Sequence, residues 1–171
     1  MNSEYIRKNL TIEDLNENQQ TLYEAIGKDK YLGLCHEVGG FQVYFPKGNT
    51  LYSIVLKKTK HSENTGRERS FHTMNSNTDN ILENLTVDDL GENQKLLFEI
   101  LGKETYIEVC RMFGGGQISI PLEETLRRNI IKRKILEKKE MFQSGKITKE
   151  QLARMYNVSV TFVYWIMRGK K

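Results

Sequence analysis

The sequence predicts a mainly α-helical protein with short β-strands. Tandem helix-helix-strand modules pair through their strands, and a C-terminal three-helix helix-turn-helix domain follows them. Three observations carry this reading: an internal repeat without gaps, a C-terminal pattern of two short amphipathic helices around a tight turn, and an uneven division of charge along the chain.

The repeat aligns residues 9–46 with residues 84–121, and 18 of the 38 positions are identical. Both prolines, Pro46 and Pro121, and both cysteines, Cys35 and Cys110, fall at equivalent positions, so one module is present twice. In each copy Thr11 with Asp14, or Thr86 with Asp89, has the spacing of a capping box and opens a short helical turn. Leu15, Leu22 and Ile26, repeated as Leu90, Leu97 and Leu101, then share one helical face, and Gly27 or Gly102 ends that helix. The next helix carries Tyr31, Leu34, Cys35 and Val38, repeated as Tyr106, Val109, Cys110 and Phe113, at the i, i+3, i+4, i+7 spacing of a core-facing stripe. Thiols on such a stripe act as small apolar groups, and the tyrosines beside them pack. Gly39-Gly40 and Gly114-Gly115 stop the second helix, and the β-prone runs 42–45 and 117–120 each end at proline.

A module of about 38 residues is too small to close a core alone. A lone strand also leaves its N–H and C=O groups unpaired. The expected solution sets strand beside strand, with Val43, Phe45, Ile118 and Ile120 as the pairing residues, in an internal pseudo-dimer or in a homodimer. Residues 57–80 are polar and read as a flexible linker whose ~24 residues span about 25–30 Å, enough for the copies to meet in one chain. The domain reading is a first module at 1–56, the linker at 57–80, a second module at 81–122 and a helix-turn-helix domain at 123–171.

A helical pattern with Leu126, Ile130, Ile131, Ile135 and Phe142 as apolar contacts runs over about 123–142, and Ser144-Gly145 ends it. Thr148 is then an N-cap with Gln151 at N3, opening a helix through Leu152, Ala153 and Tyr156. Asn157 tolerates the left-handed turn, Val158 tucks the turn inward, and Ser159 caps a second helix facing inward through Val163 and Ile166. Ala153 is small where the two helices cross. In such a motif the start and outward face of the second helix reach base edges, here Ser159, Val160, Thr161 and Tyr164. Lys146, Thr148, Lys149, Arg154, Arg168, Lys170 and Lys171 are placed for phosphates. Phe162 and Trp165 have two readings, packing on the long preceding helix, which is favoured, or stacking on a base, and Trp165 also stands among the residues that can reach base edges.

Charge agrees with this division. The chain has 26 Lys plus Arg against 22 Asp plus Glu, net +4, yet residues 127–171 hold 13 basic and 3 acidic side chains. A cationic end on an acidic body suits a protein that neutralises phosphates at one end, with double-stranded DNA as the partner. Two cysteines and three scattered histidines, His36, His61 and His72, form no metal-ligand spacing and no nucleophile-base constellation, so no cofactor and no enzymatic activity are expected. A recombinase would need a catalytic fold of its own from residues already spent on the repeat. No apolar run approaches the ~20 residues of a membrane span, and the expected compartment is the cytoplasm.

The second copy with the tail resembles the Mor family of phage transcription activators. The matching features are the stripe around Cys110, Gly114-Gly115, the run 117–120 with Pro121, and the ending Phe142, Leu152-Ala153, Tyr156, Val158-Ser159, Val163-Tyr164 and Ile166. The first copy, with Gly39-Gly40 and the run 43–47, resembles the family's strand motif. The resemblance implies a dimerisation module of helices and one strand, a C-terminal helix-turn-helix, and promoter binding as a dimer that assists RNA polymerase. This chain departs from it by carrying two modules and one reader.

Overall fold

The computed structural model describes residues 2–62 and 82–169. Among them ten α-helices and two strands form: α1 Asn2–Asn9, α2 Glu17–Ile26, α3 Lys28–Val38, β1 Gln42–Tyr44, α4 Gly48–Ser62, α5 Glu92–Leu101, α6 Lys103–Phe113, β2 Gln117–Ser119, α7 Glu123–Glu137, α8 Lys139–Gln143, α9 Lys149–Tyr156 and α10 Val160–Arg168. Short 3-10 turns at Ile12–Asp14 and Val87–Asp89 precede α2 and α5. The chain divides into two compact units, Asn18–Ile120 and Met1–Glu17 with Pro121–Lys171.

In the Asn18–Ile120 unit the elements recur at a fixed offset, α2 as α5, α3 as α6 and β1 as β2. The strands pair antiparallel, with Gln42 opposite Ser119, Val43 opposite Ile118 and Tyr44 opposite Gln117. Equivalent backbone bonds extend the ladder at both ends. Gly40 N–H donates to Ile120 C=O and Gly115 N–H to Phe45 C=O, each at 2.8 Å, while Ile120 N–H donates to Phe41 C=O and Phe45 N–H to Gly116 C=O. Each three-residue strand thus has its polar backbone satisfied by the other, as the size argument requires.

Val43, Phe45, Ile118 and Ile120 are all buried, with Leu22, Tyr31, Leu34, Cys35, Leu97, Tyr106, Val109 and Cys110. The Tyr23–Tyr31 and Phe98–Tyr106 rings meet edge to face at the same 5.4 Å. The hydroxyls of Tyr31 and Tyr106 are buried without an N or O partner. The polar neighbour acting on each is the thiol one helical turn on, Cys35 or Cys110. Burial pushes the Cys110 thiol up to about 12, which keeps it protonated and unreactive.

Gly114 is a glycine for a steric reason. A Cβ there would lie 2.4 Å from the Cys110 carbonyl oxygen and 2.9 Å from Lys47 Cα, so α6 passes close to the chain leaving β1 only without a side chain. Its neighbour Gly115 has φ +85°, the left-handed region that makes the turn into β2.

The stretch after Pro46 is more ordered than a linker starting at 57. Helix α4 continues to Ser62 and packs on α6, with Leu51 and Val55 buried one turn apart. That apolar pair gives the segment a face to bury, which carries the helix into the polar residues. The remainder of the linker reading, 63–80, lies outside the described residues.

In the other unit α1 lies on α7, an element the repeat did not announce. Ile6 and Leu10 are buried, and Lys134 Nζ lies 5.4 Å over the Tyr5 ring. The Asp14 side chain is fully buried and receives Arg133 through two bonds, Nε to Oδ1 at 2.9 Å and Nη2 to Oδ2 at 3.2 Å. The remaining Arg133 donors reach Asn9 C=O at 2.9 Å and Glu137 at 2.8 Å. Asp14 Oδ2 also takes the Thr11 N–H and hydroxyl, so a carboxylate read as a helix cap also anchors α7. The single helical pattern over 123–142 is broken at Lys138 into α7 and α8. Phe142, beyond the break, packs on a core of Ile131, Ile135, Ile147, Leu152, Ala153 and Val163.

Candidate nucleic-acid interface

The candidate interface consists of α9 and α10, and each join between them is made by a side chain of fitting chemistry. Thr148 N–H donates to Gln151 Oε1 at 2.8 Å and Gln151 N–H to Thr148 Oγ1 at 3.2 Å, a reciprocal cap that starts α9. Asn157 ends α9 at φ 51°, ψ 56°, a left-handed conformation that asparagine tolerates better than most side chains. The Val158 N–H then bonds Ala153 C=O at 3.0 Å, and Ser159 Oγ accepts the Phe162 N–H at 3.1 Å to start α10. Beneath them, Leu152, Ala153 and Val163 close on Ile131 and Ile135, with Val158, Phe162, Ile166 and Met167 partly buried around them. The angle between α9 and α10 is therefore set by an apolar core, so the outward face of α10 is held at a defined attitude.

That outward face carries Val160, Thr161, Tyr164, Trp165 and Arg168, all exposed. Of the residues expected at base edges, Val160, Thr161 and Tyr164 lie on it together. Ser159 sits at its edge with its oxygen engaged as the cap. Of the two readings of Trp165 the structure departs from the favoured one: it is 47% exposed and meets Tyr164 edge to face at 5.8 Å rather than joining the core cluster. The reason is angular, since two residues past Val163 turn a side chain roughly 200° around the helix.

Among the expected phosphate contacts, Lys146, Thr148 and Arg154 are exposed and Lys149 is half-buried. Thr148 is engaged on both sides, its oxygen accepting the Gln151 N–H and its hydroxyl bonding the Glu150 carboxyl. Lys170 and Lys171 lie outside the described residues. Tyr164 is more engaged than a free reading side chain. Its hydroxyl oxygen accepts from Arg168 Nη1 at 2.7 Å, and Lys149 Nζ lies 5.1 Å from its ring centroid. The Glu150 carboxyl is held below its ordinary value, first by its own backbone N–H and then by Thr148, with Lys149 and Arg154 adding to it. The four strand residues read as pairing contacts lie in the Asn18–Ile120 unit, where Val43 faces Ile118 and the Phe45 and Ile120 backbones extend the ladder.

Residues 67–171 match the Mor transcription activator family. The chain belongs to that family. The Mor match takes in the second copy of the repeat and all of α7 to α10, so the elements of the candidate interface lie within it. Mor proteins are transcription regulators, not a family of enzymes. No curated protein and no solved structure matches the chain. Among the described residues no helix is long and apolar enough to cross a membrane.

Proposed function

We propose that the chain is a sequence-specific DNA-binding regulator of transcription, an activator-like protein that assists RNA polymerase. In this reading α9, the turn at Asn157 and α10 form a helix-turn-helix reader. The observation that carries it is the outward stripe of α10, where Val160, Thr161 and Trp165 stand exposed on a rigid apolar base within the family-matched segment. Val160 and Thr161 offer a methyl surface and a hydroxyl to base edges, which is the chemistry of major-groove reading. Lys146, Lys149, Arg154 and Arg168 surround them with charge that sets position rather than sequence. Selection of bound duplexes from a random pool tests this: enrichment of a defined motif supports the reading, and an unenriched pool contradicts it.

A second reading is favoured by the pairing of β1 with β2 inside one chain. A strand face consumed internally leaves one reader on a completed pairing body, so the selected motif is expected to be a half-site without a palindromic partner. Such a protein would act by engaging a Mor-like protein or RNA polymerase through its body, with single-arm DNA binding. Co-selection of a palindrome would exclude it.

A further inference from the structure

We propose that Lys149, Tyr164 and Arg168 form a seat for one backbone phosphate, with Tyr164 as the positioning residue that gathers the two cations. This rests on the DNA-binding reading and assigns Tyr164 a different part in it from base recognition.

Two cations from different helices meet on one ring. Lys149, the first residue of α9, holds its Nζ 5.1 Å from the Tyr164 centroid, and Arg168, one turn after Tyr164 on α10, holds its guanidinium carbon at 5.7 Å. The Tyr164 hydroxyl also accepts from Arg168 Nη1 at 2.7 Å, so the guanidinium is held at two points. Each contact with the ring is a cation–π attraction, comparable at an exposed site to a surface ion pair. Against it stand the mutual repulsion of two positive charges and the position of Lys149, where the positive end of the helix dipole disfavours a cation.

Among the described residues neither Lys149 nor Arg168 takes part in an ion pair. The exposed Glu150 is coupled to Lys149 through space, although its carboxyl is held lower first by its own backbone N–H and by Thr148. The arrangement is therefore two cations on one ring, neither held by a direct ion pair. A phosphodiester suits this pair in charge, one non-bridging oxygen for the point-like ammonium and the other for the forked guanidinium. Lys149 keeps its three donors and Arg168 four of its five for that purpose.

The test uses the full chain and a labelled duplex of random sequence, with binding followed by anisotropy between about 50 and 200 mM salt. Because the two cations share one phosphate, Lys149→Gln and Arg168→Gln combined should lower the slope of log affinity against log salt by about 0.9, and each alone by less; a full ~0.9 from each would mean two separate phosphates and overturn the seat. Tyr164→Leu removes no charge, yet it should weaken binding roughly fivefold on any sequence, the cost of ordering two long cationic side chains that the ring no longer holds in place. Adding Lys149→Gln to Tyr164→Leu should then cost less than Lys149→Gln alone, the signature of a shared contact.

Additive losses, or a Tyr164→Leu chain with unchanged random-duplex affinity and altered sequence preference, overturn the seat and leave the DNA-binding reading standing. A wild-type chain that binds no duplex at the lowest salt overturns both. Should Tyr164→Leu lose its helical circular dichroism, Tyr164→Phe keeps the ring and removes only the hydroxyl acceptor. Its loss should then couple to Arg168→Gln and not to Lys149→Gln, and the reverse pattern counts against the seat. Inorganic phosphate distinguishes a free-anion site: quenching of Trp165 by phosphate alone, as strong as that by duplex, contradicts the assignment to DNA.

Discussion

Val43 faces Ile118 directly across the antiparallel pair, and the two are the same position of the repeated segment, just as Lys30 and Thr105, in contact at 2.6 Å, are equivalent positions 75 residues apart. When equivalent positions oppose each other, a local two-fold axis passes between them. That is the geometry by which two identical subunits form a self-complementary interface. Here a single chain supplies both halves, which is why strands of three residues suffice: each is completed by a copy of itself.

The glycine turn between α6 and β2 is the tightest point of that arrangement. Gly114→Ala puts a methyl carbon 2.9 Å from Lys47 Cα, and the expected cost is about 1–3 kcal/mol by overpacking. Gly33→Ala is the matched control, because its Cβ would meet Ile100 Cγ2 at an ordinary 3.5 Å. It should be neutral or stabilising by up to about 1 kcal/mol from helix propensity. Urea unfolding followed by circular dichroism separates the two.

Arg133 satisfies the fully buried Asp14 side chain, so Arg133→Met strands a carboxylate and should destabilise its unit by about 3–5 kcal/mol. Asp14→Asn combined with Arg133→Met should recover part of the loss. Trp165 is the one tryptophan of the chain and sits in the same unit, so its fluorescence reports this unfolding locally.

Alkaline pH should weaken the Asn18–Ile120 unit. Cys110 titrates from an ordinary value of 9.0 when unfolded to about 12 when folded, so between these values the unfolded chain has lost a proton that the folded chain retains. Stability is thus full below about pH 9 and declines above it, at up to ~1.4 kcal/mol per pH unit for this thiol. Tyr31 and Tyr106, both raised by burial, add to the decline above pH 10. Denaturant midpoints at pH 8 and pH 10 measure it, and Cys110→Ala should flatten the dependence.

Much of this was legible because local rules and tertiary needs coincide. The capping boxes at Thr11 and Thr148, the stripes through Cys35 and Cys110, and the turn at Asn157 each satisfy a backbone requirement that the residue type itself announces. Helix α4 was harder to see, although Leu51 and Val55 stand at the offset of Leu126 and Ile130, because identity between the copies fades after Pro46. Helix α1 precedes the aligned segment and carries no motif. Arg133 is one of 13 basic residues in 127–171, and nothing along the chain marks it as the partner of Asp14. Trp165 stays open between an inward and an outward reading, because helical spacing alone does not tell an outward aromatic from an inward one. The cluster around Tyr164 joins residues from two helices, a proximity that only the fold creates.

The pairing of the two copies within one chain is tested most directly by a disulfide between Gln42→Cys and Ser119→Cys, which face each other on the exposed side of the strands. Opposed positions there have Cβ atoms about 4.5–5.5 Å apart, close enough to join with slight adjustment. Oxidation followed by non-reducing electrophoresis and peptide mapping should give a cross-link within a monomer. Cross-links found solely between chains would contradict the internal pairing.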